Sequence, residues 1–221
     1  MTRRGSVGRG GAASTAGDRA SSRTPDLVLK AAARLFRTQG FDATTTRQLA
    51  RAIGLERSSL YHHIAGKESL LYEIAVSSIT TISDRVTAAV EAEDTPLSRV
   101  RALIIAHVTT LLSDPSTHAT ALGELRSLRG DRRKHVLALR DTYDARVRTL
   151  IEAARSAGVL GSKIESKYLA LALLNLMNYC VIWYNPRRAG LSAVQVAEIL
   201  AEVYLAGVVR ADGATVRLSA T

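Results

Sequence analysis

The chain is 221 residues long and 47% apolar, with a formal charge of +10 and a sequence pI near 10.2. That is enough apolar side chain for one sizeable core, or for a small domain joined to a larger one. The basic balance favours an anionic partner, nucleic acid ahead of an acidic membrane surface. A single cysteine, Cys180, excludes an intrachain disulfide, and no apolar stretch follows the N-terminal arginines as a secretory leader requires; a cytoplasmic protein is expected.

Residues 1–24 are rich in Gly, Ser, Ala and Arg, with Asp18 as their one acid. They bury too little to offset their ordering entropy, so a disordered basic arm is expected, either an untethered tail or an arm along DNA phosphates or a minor groove. From Pro25 the pattern is helical throughout. Val28, Ala32, Leu35 and Phe36 share one face of a first helix that ends near Gln39, with Gly40 as its left-handed cap. Thr45 can cap a second helix, and Gln48 three residues on completes a capping box, while Leu49, Ala50 and Ile53 face inward. Gly54 permits a tight turn and Leu55 plugs it. A third helix over 56–64 is pinned by Leu60 and Ile64, which leaves Arg57, Ser58, Ser59, Tyr61 and His63 to project away from the core.

A long connecting helix is expected over 67–92, entered through Gly66. Further helices are expected at 97–112, 116–128, 131–157, 163–184 and 192–210, with Pro25, Pro96 and Pro115 at helix starts and Pro186 at a stop. The longest apolar run, 168–184, contains Asn175 and Asn178 and falls short of the ~20 residues of a membrane span, so it reads as a buried helix and Cys180 within it as a small hydrophobe. No stretch alternates strictly as a strand does. The expected fold is all-α, a small N-terminal three-helix domain followed by a larger helical body.

The segment over 56–64 has the composition of a DNA-recognition helix: donors and small hydroxyls at its N-terminal end, then aromatic and imidazole groups that can touch phosphates. Leu35-Phe36, Gly40-Phe41, Thr44-Thr45, Leu49-Ala50, Gly54-Leu55, Leu60-Tyr61-His62-His63-Ile64 and Lys67-Glu68 follow one another at consistent spacing. In these motifs the chain resembles the TetR family of transcription regulators. The resemblance implies a helix-turn-helix DNA-binding domain over 25–66, a helical effector-binding and dimerisation domain over 67–211, and a C-terminal tail over 212–221. It also implies that Arg47 reaches a base or phosphate and that Arg57, Ser58 and Ser59 face base edges. Tyr61, His63 and Lys67 match phosphate-contacting positions, and Thr45 can also donate to a phosphate. Two positions depart from the family pattern: Glu56 stands where a capping serine is commoner, and Ile64 where phenylalanine is.

No metal and no cofactor is implied. His62 and His63 point about 100° apart on a helix, and His107, His118 and His135 show no ligand spacing. No nucleophile–base pair or phosphate loop supports an enzyme. The helices expected at 163–184 and 192–210 are apolar nearly all round and need cover on several sides, which suits the family's dimer of paired last helices as well as a monomer core. The resemblance further implies an effector pocket in the body, for which His107, Tyr143, Asn178 and Trp183 are the polar or aromatic candidates. Residues 175–186 resemble the corresponding helix of TetR-type regulators of lipid and sterol breakdown, whose effectors are acyl-CoA thioesters. The expected function is a homodimeric repressor released from a palindromic operator by a small-molecule effector, without membrane association. The alternatives are a ligand-independent dimeric DNA-binding protein or a helical small-molecule carrier or enzyme.

Overall fold

The computed structural model describes residues 15–53, 66–161, 163–185, 188 and 190–209. Among these, the helices are α1 (Thr15–Gln39), α2 (Thr46–Ile53), α3 (Lys67–Glu91), α4 (Pro96–Ser113), α5 (Pro115–Gly123), α6 (Gly130–Ser156), α7 (Ser166–Trp183) and α8 (Ala193–Val208), with a 3-10 turn at Leu125–Ser127 between α5 and α6. The described residues form no strand, only an isolated bridge between Leu160 and Val209 that fastens the end of α8. None of their helices is long and apolar enough to cross a membrane. The third helix expected at 56–64 lies outside the described residues.

Helix starts follow local chemistry. Thr95 and Ser98 form a reciprocal capping box before Pro96, Asp114 caps α5 with Pro115 in its first turn, and Ser192 with Gln195 caps α8. Gly40, at φ +84°, closes α1 by donating its N–H to the Phe36 carbonyl at 2.9 Å. At the N-terminus the backbone of α1 is helical from Thr15 and runs through Pro25. Ala16, Arg19, Ala20 and Arg23 are good helix formers, and growth from an existing helix avoids the cost of nucleation.

The spine is α3. Its first half packs against α1 and its length lies along α4, α5 and α6, while α7 and α8 both lean on α4 and touch each other only lightly. Two apolar cores result. The body core joins Ile82 and Val86 of α3 to Leu103, Ile104, Ile151 and Leu173. The other surrounds Phe36, Phe41 and Leu49, and it takes in Leu70, Leu71 and Ile74 of α3, Ala121 of α5, and Leu128 and Val136 on either side of the α6 start. Packing therefore divides partway along α3, beyond the Gly66 boundary at which the sequence changes character.

Candidate DNA-binding and effector sites

At the DNA-binding end, Thr45 and Gln48 form the expected box. The Thr45 backbone N–H donates to Gln48 Oε1 at 2.8 Å, and the Gln48 backbone N–H donates to Thr45 Oγ1 at 3.3 Å. Gln48 Nε2 also donates to Gln39 Oε1 at 2.9 Å, tying α2 to the end of α1. Thr45 and Arg47 are both exposed, open to a ligand from solvent. Lys67, expected as a phosphate anchor, is engaged within the fold in the absence of DNA. Its ammonium donates to the carbonyls of Phe41 (2.9 Å), Asp42 (3.0 Å) and Thr44 (3.3 Å) and sits 4.5 Å from the Phe41 ring centre. Three donors meet three acceptors, so the side chain straps the loop before α2 to the start of α3. Arg57, Ser58, Ser59, Tyr61 and His63 lie outside the described residues.

In the body, three of the four effector candidates meet. His107 on α4, Tyr143 on α6 and Asn178 on α7 line one cavity of about 200 Å³. The His107 Nδ1 lies 2.7 Å from the Tyr143 hydroxyl and its Nε2 lies 3.2 Å from Asn178 Oδ1. An amide oxygen only accepts, so Nε2 carries the proton and Nδ1 accepts from Tyr143. Burial lowers the His107 pKa to about 4, so the imidazole is neutral, and burial pushes the Tyr143 hydroxyl well above its usual range. Trp183 is not part of this group. Five residues beyond Asn178 on an α-helix it has turned away by about 140°, and it stands 49% exposed with its ring edge-on to Tyr184. Cys180 is buried, its thiol donates to the Met177 carbonyl, and burial pushes its pKa up to about 12, as befits a packing residue.

The cavity also holds polar groups that the sequence reading passed over. Ser78 of α3 pairs with His118 Nδ1 at 2.8 Å, and burial lowers the His118 pKa as well. Arg140 of α6 reaches the cavity and donates to the Ala121 carbonyl at 2.6 Å. Val136, Arg140, Tyr143 and Val147 lie three or four residues apart on one face of α6, and an arginine in an otherwise inward row is the signal that could have revealed it.

Polar ties run from the cavity walls to the DNA-binding end. Thr120 of α5, next to the cavity-lining Ala121, donates from a buried hydroxyl to the Ala33 carbonyl of α1 at 2.9 Å. Glu124 accepts the Phe41 backbone N–H at 3.2 Å, and Arg37 of α1 donates to the Val181 carbonyl of α7 at 3.3 Å. On the outside of α7 and α8, Tyr168, Leu171, Tyr179 and Ile182 form one exposed stripe, with Val194, Ile199 and Val203 exposed on α8.

The described residues thus join a capped helix α2, at the end that carries the family-like motifs, to an all-helical body with a cavity of mixed polar and apolar lining. Two family descriptions match along the chain: "Bacterial regulatory proteins, tetR family" over residues 28–74, and "Tetracyclin repressor-like, C-terminal domain" over residues 93–208. The chain belongs to the tetR family of bacterial regulatory proteins, a family of transcriptional regulators and not of enzymes. The HTH-type transcriptional repressor KstR2 of Mycobacterium tuberculosis is 34% identical to it over 79 residues, 36% of this chain and 40% of the relative. The chain thus matches about two-fifths of the length of the first curated relatives. Among solved structures, PfmR of Thermus thermophilus superposes with a TM-score of 0.74 at 28% identity, over 81% of this chain and 97% of that one. AibR, solved with isovaleryl coenzyme A and operator DNA, superposes at 0.72 and 24% identity over 81% and 97%, a likeness of fold.

Proposed function

We propose that the protein is a cytoplasmic homodimeric repressor that binds a palindromic operator and is released when a small molecule fills the body cavity. In this reading Thr45 and Arg47 meet the duplex together with Arg57, Ser58, Ser59, Tyr61 and His63, the base-reading and phosphate-contacting positions of the recognition segment. The exposed apolar stripe on α7 and α8 supports dimerisation through the last two helices, since large apolar faces of this kind mark interaction surfaces. Two copies then present their recognition helices about one duplex turn apart.

The observation that carries the reading is the cavity holding His107, Tyr143 and Asn178, joined to the DNA-binding end through α5. Ligand binding can shift DNA affinity only if the occupied cavity favours one arrangement of that end, and the Thr120 and Glu124 bonds supply the mechanical link. An acyl-CoA or other lipid-derived molecule is the proposed effector class, as AibR was solved with an acyl-CoA and KstR2 is named as a ketosteroid regulator. The test is a gel shift at modest salt with DNA from upstream of the protein's own gene. A palindromic fragment is expected to shift, and acyl-CoA esters to reverse the shift. Failure to bind any palindrome there overturns the local DNA-binding reading, and binding indifferent to every ligand favours a ligand-independent DNA-binding protein.

A further inference from the structure

Of the residues lining the body cavity, Arg140 and Asp144 carry the formal charges, while His107 and His118 are held neutral by burial. Arg140 and Asp144 lie one turn apart on α6 yet make no ion pair with each other. Among the described residues, the one hydrogen bond that Arg140 makes is to the Ala121 carbonyl. A guanidinium has five N–H donors in a fork that suits a carboxylate. The Asp144 carboxylate compensates the Arg140 charge at a distance, without a direct ion pair, so the partly desolvated guanidinium is incompletely paired and an anionic ligand adds to that compensation. Around it the cavity offers an apolar lining, Ile79, Ile82, Leu111 and Leu174, with the donors of the Asn178 amide across from α6. The cavity, about 200 Å³, opens toward solvent past the exposed side chains of Asp144 on α6 and Leu171 and Asn175 on α7, so the apolar body of a ligand can lie inside while its far end reaches out.

Resting on the effector reading above, we infer that the cavity takes a small acyl compound, an apolar body ending in a carboxylate or acyl carbonyl, and that Arg140 is the residue that reads its oxygen. The partner that Arg140 holds without ligand gives this recognition a consequence. Ala121 lies on α5 between Thr120, which bonds to the Ala33 carbonyl of α1, and Glu124, which accepts the Phe41 N–H. An acyl oxygen that takes Arg140 competes with the Ala121 carbonyl and so acts on the helix that holds the DNA-binding end.

The test is calorimetry on the full chain with butanoate, hexanoate and octanoate, their CoA thioesters, and hexan-1-ol. At least one acid or thioester is expected to bind, with the alcohol at least about tenfold weaker. Arg140→Gln is expected to lose about tenfold or more, the scale of a charge-assisted hydrogen bond, and Arg140→Lys to retain part of the affinity. Asp144→Asn, which removes the competing negative charge beside the guanidinium, is expected to tighten binding. Acids binding without thioesters, or the reverse, decides the source of the acyl group. The inference is overturned if no acid or thioester binds, if the alcohol binds equally well, or if a folded Arg140→Gln binds as the parent does. Should Arg140→Gln fail to fold, Asp144→Asn decides, and unchanged or weakened binding overturns the inference. Calorimetry needs no DNA: an Arg140-independent ligand response in an intact gel shift breaks this inference alone, whereas Arg140-dependent binding without any operator complex breaks the repressor reading alone.

Discussion

Among the described residues, Phe36, Leu49 and Leu70 meet at the DNA-binding end in a core that α1 and α2 share with other helices. That end is completed by α3, α5 and the start of α6, which supply Leu71, Ile74, Ala121 and Val136. The body core is larger, closes among α3, α4, α6, α7 and α8, and can hold a polar cavity at its edge. One region shares its core with the body helices; the other also carries buried histidines. A helix-turn-helix built in this way cannot ignore the body, because its core is partly made of body helices.

The most forceful way to break this comparison is Leu71→Ala. Leu71 is fully buried in the shared core, and truncation there is expected to cost about 2–5 kcal/mol. If the DNA-binding end borrows its core, loss of helical circular dichroism and loss of DNA binding coincide in one denaturant transition. An early, separate loss of DNA binding, with the body unfolding at the parent's midpoint, would show two independent cores.

A second prediction concerns the buried histidine that only the body core carries in a three-residue network. Burial lowers the His107 pKa from 6.5 to about 4 in the folded chain. Between those values the unfolded chain binds more protons, so the stability linked to this group is whole above pH 6.5 and is lost as the pH falls toward 4. His118, also lowered by burial, acts in the same direction. At about 1.4 kcal/mol per pH unit, the stability gap between the parent and His107→Gln is expected to narrow by about 2–3 kcal/mol between pH 7 and pH 4.5 in urea titrations. A gap that stays constant with pH would place the histidine in a wetter site than its neighbours allow.

Thr120→Val tests the link between the two regions. The shape is kept while the buried bond to the Ala33 carbonyl is lost, at a cost of about 1 kcal/mol. The sharper readout is coupling: the variant is expected to bind operator DNA but to respond less to the effector. An undiminished response would transfer the connection to Arg37 and Val181 or to the path of α3.

The helices were readable from caps and periodicity because those signals are local. Thr45 with Gln48, Pro96 after Thr95, and Gly40 after Gln39 each act within four residues of themselves. His107, Tyr143 and Asn178 were also legible, as polar side chains in apolar stretches, although their meeting depends on three helices. Trp183 carried the same signal but does not line this cavity, because helical phase, not residue type, decides which face reaches it. Arg140 was hidden by its setting, since charged residues crowd α6 and the partner that exposes its role, Ala121, comes from another helix.

The finest distinction lies within the DNA-binding end, between a cation offered to solvent and one occupied by the fold. Arg47 is exposed on α2, whereas Lys67 is held by the carbonyls of Phe41, Asp42 and Thr44. Each phosphate neutralised by a protein cation contributes about 0.9 to the slope of log affinity against log salt. Arg47→Ala is therefore expected to flatten that slope by about one contact per protomer if it meets a phosphate, with the melting temperature unchanged. Lys67→Met is expected to leave the slope as it is and to lower the melting temperature, because the loop before α2 loses its strap. If Lys67→Met flattens the slope instead, the ammonium leaves its three carbonyls when DNA arrives, and the family position acts as a phosphate anchor in the complex after serving as a strap in the free protein.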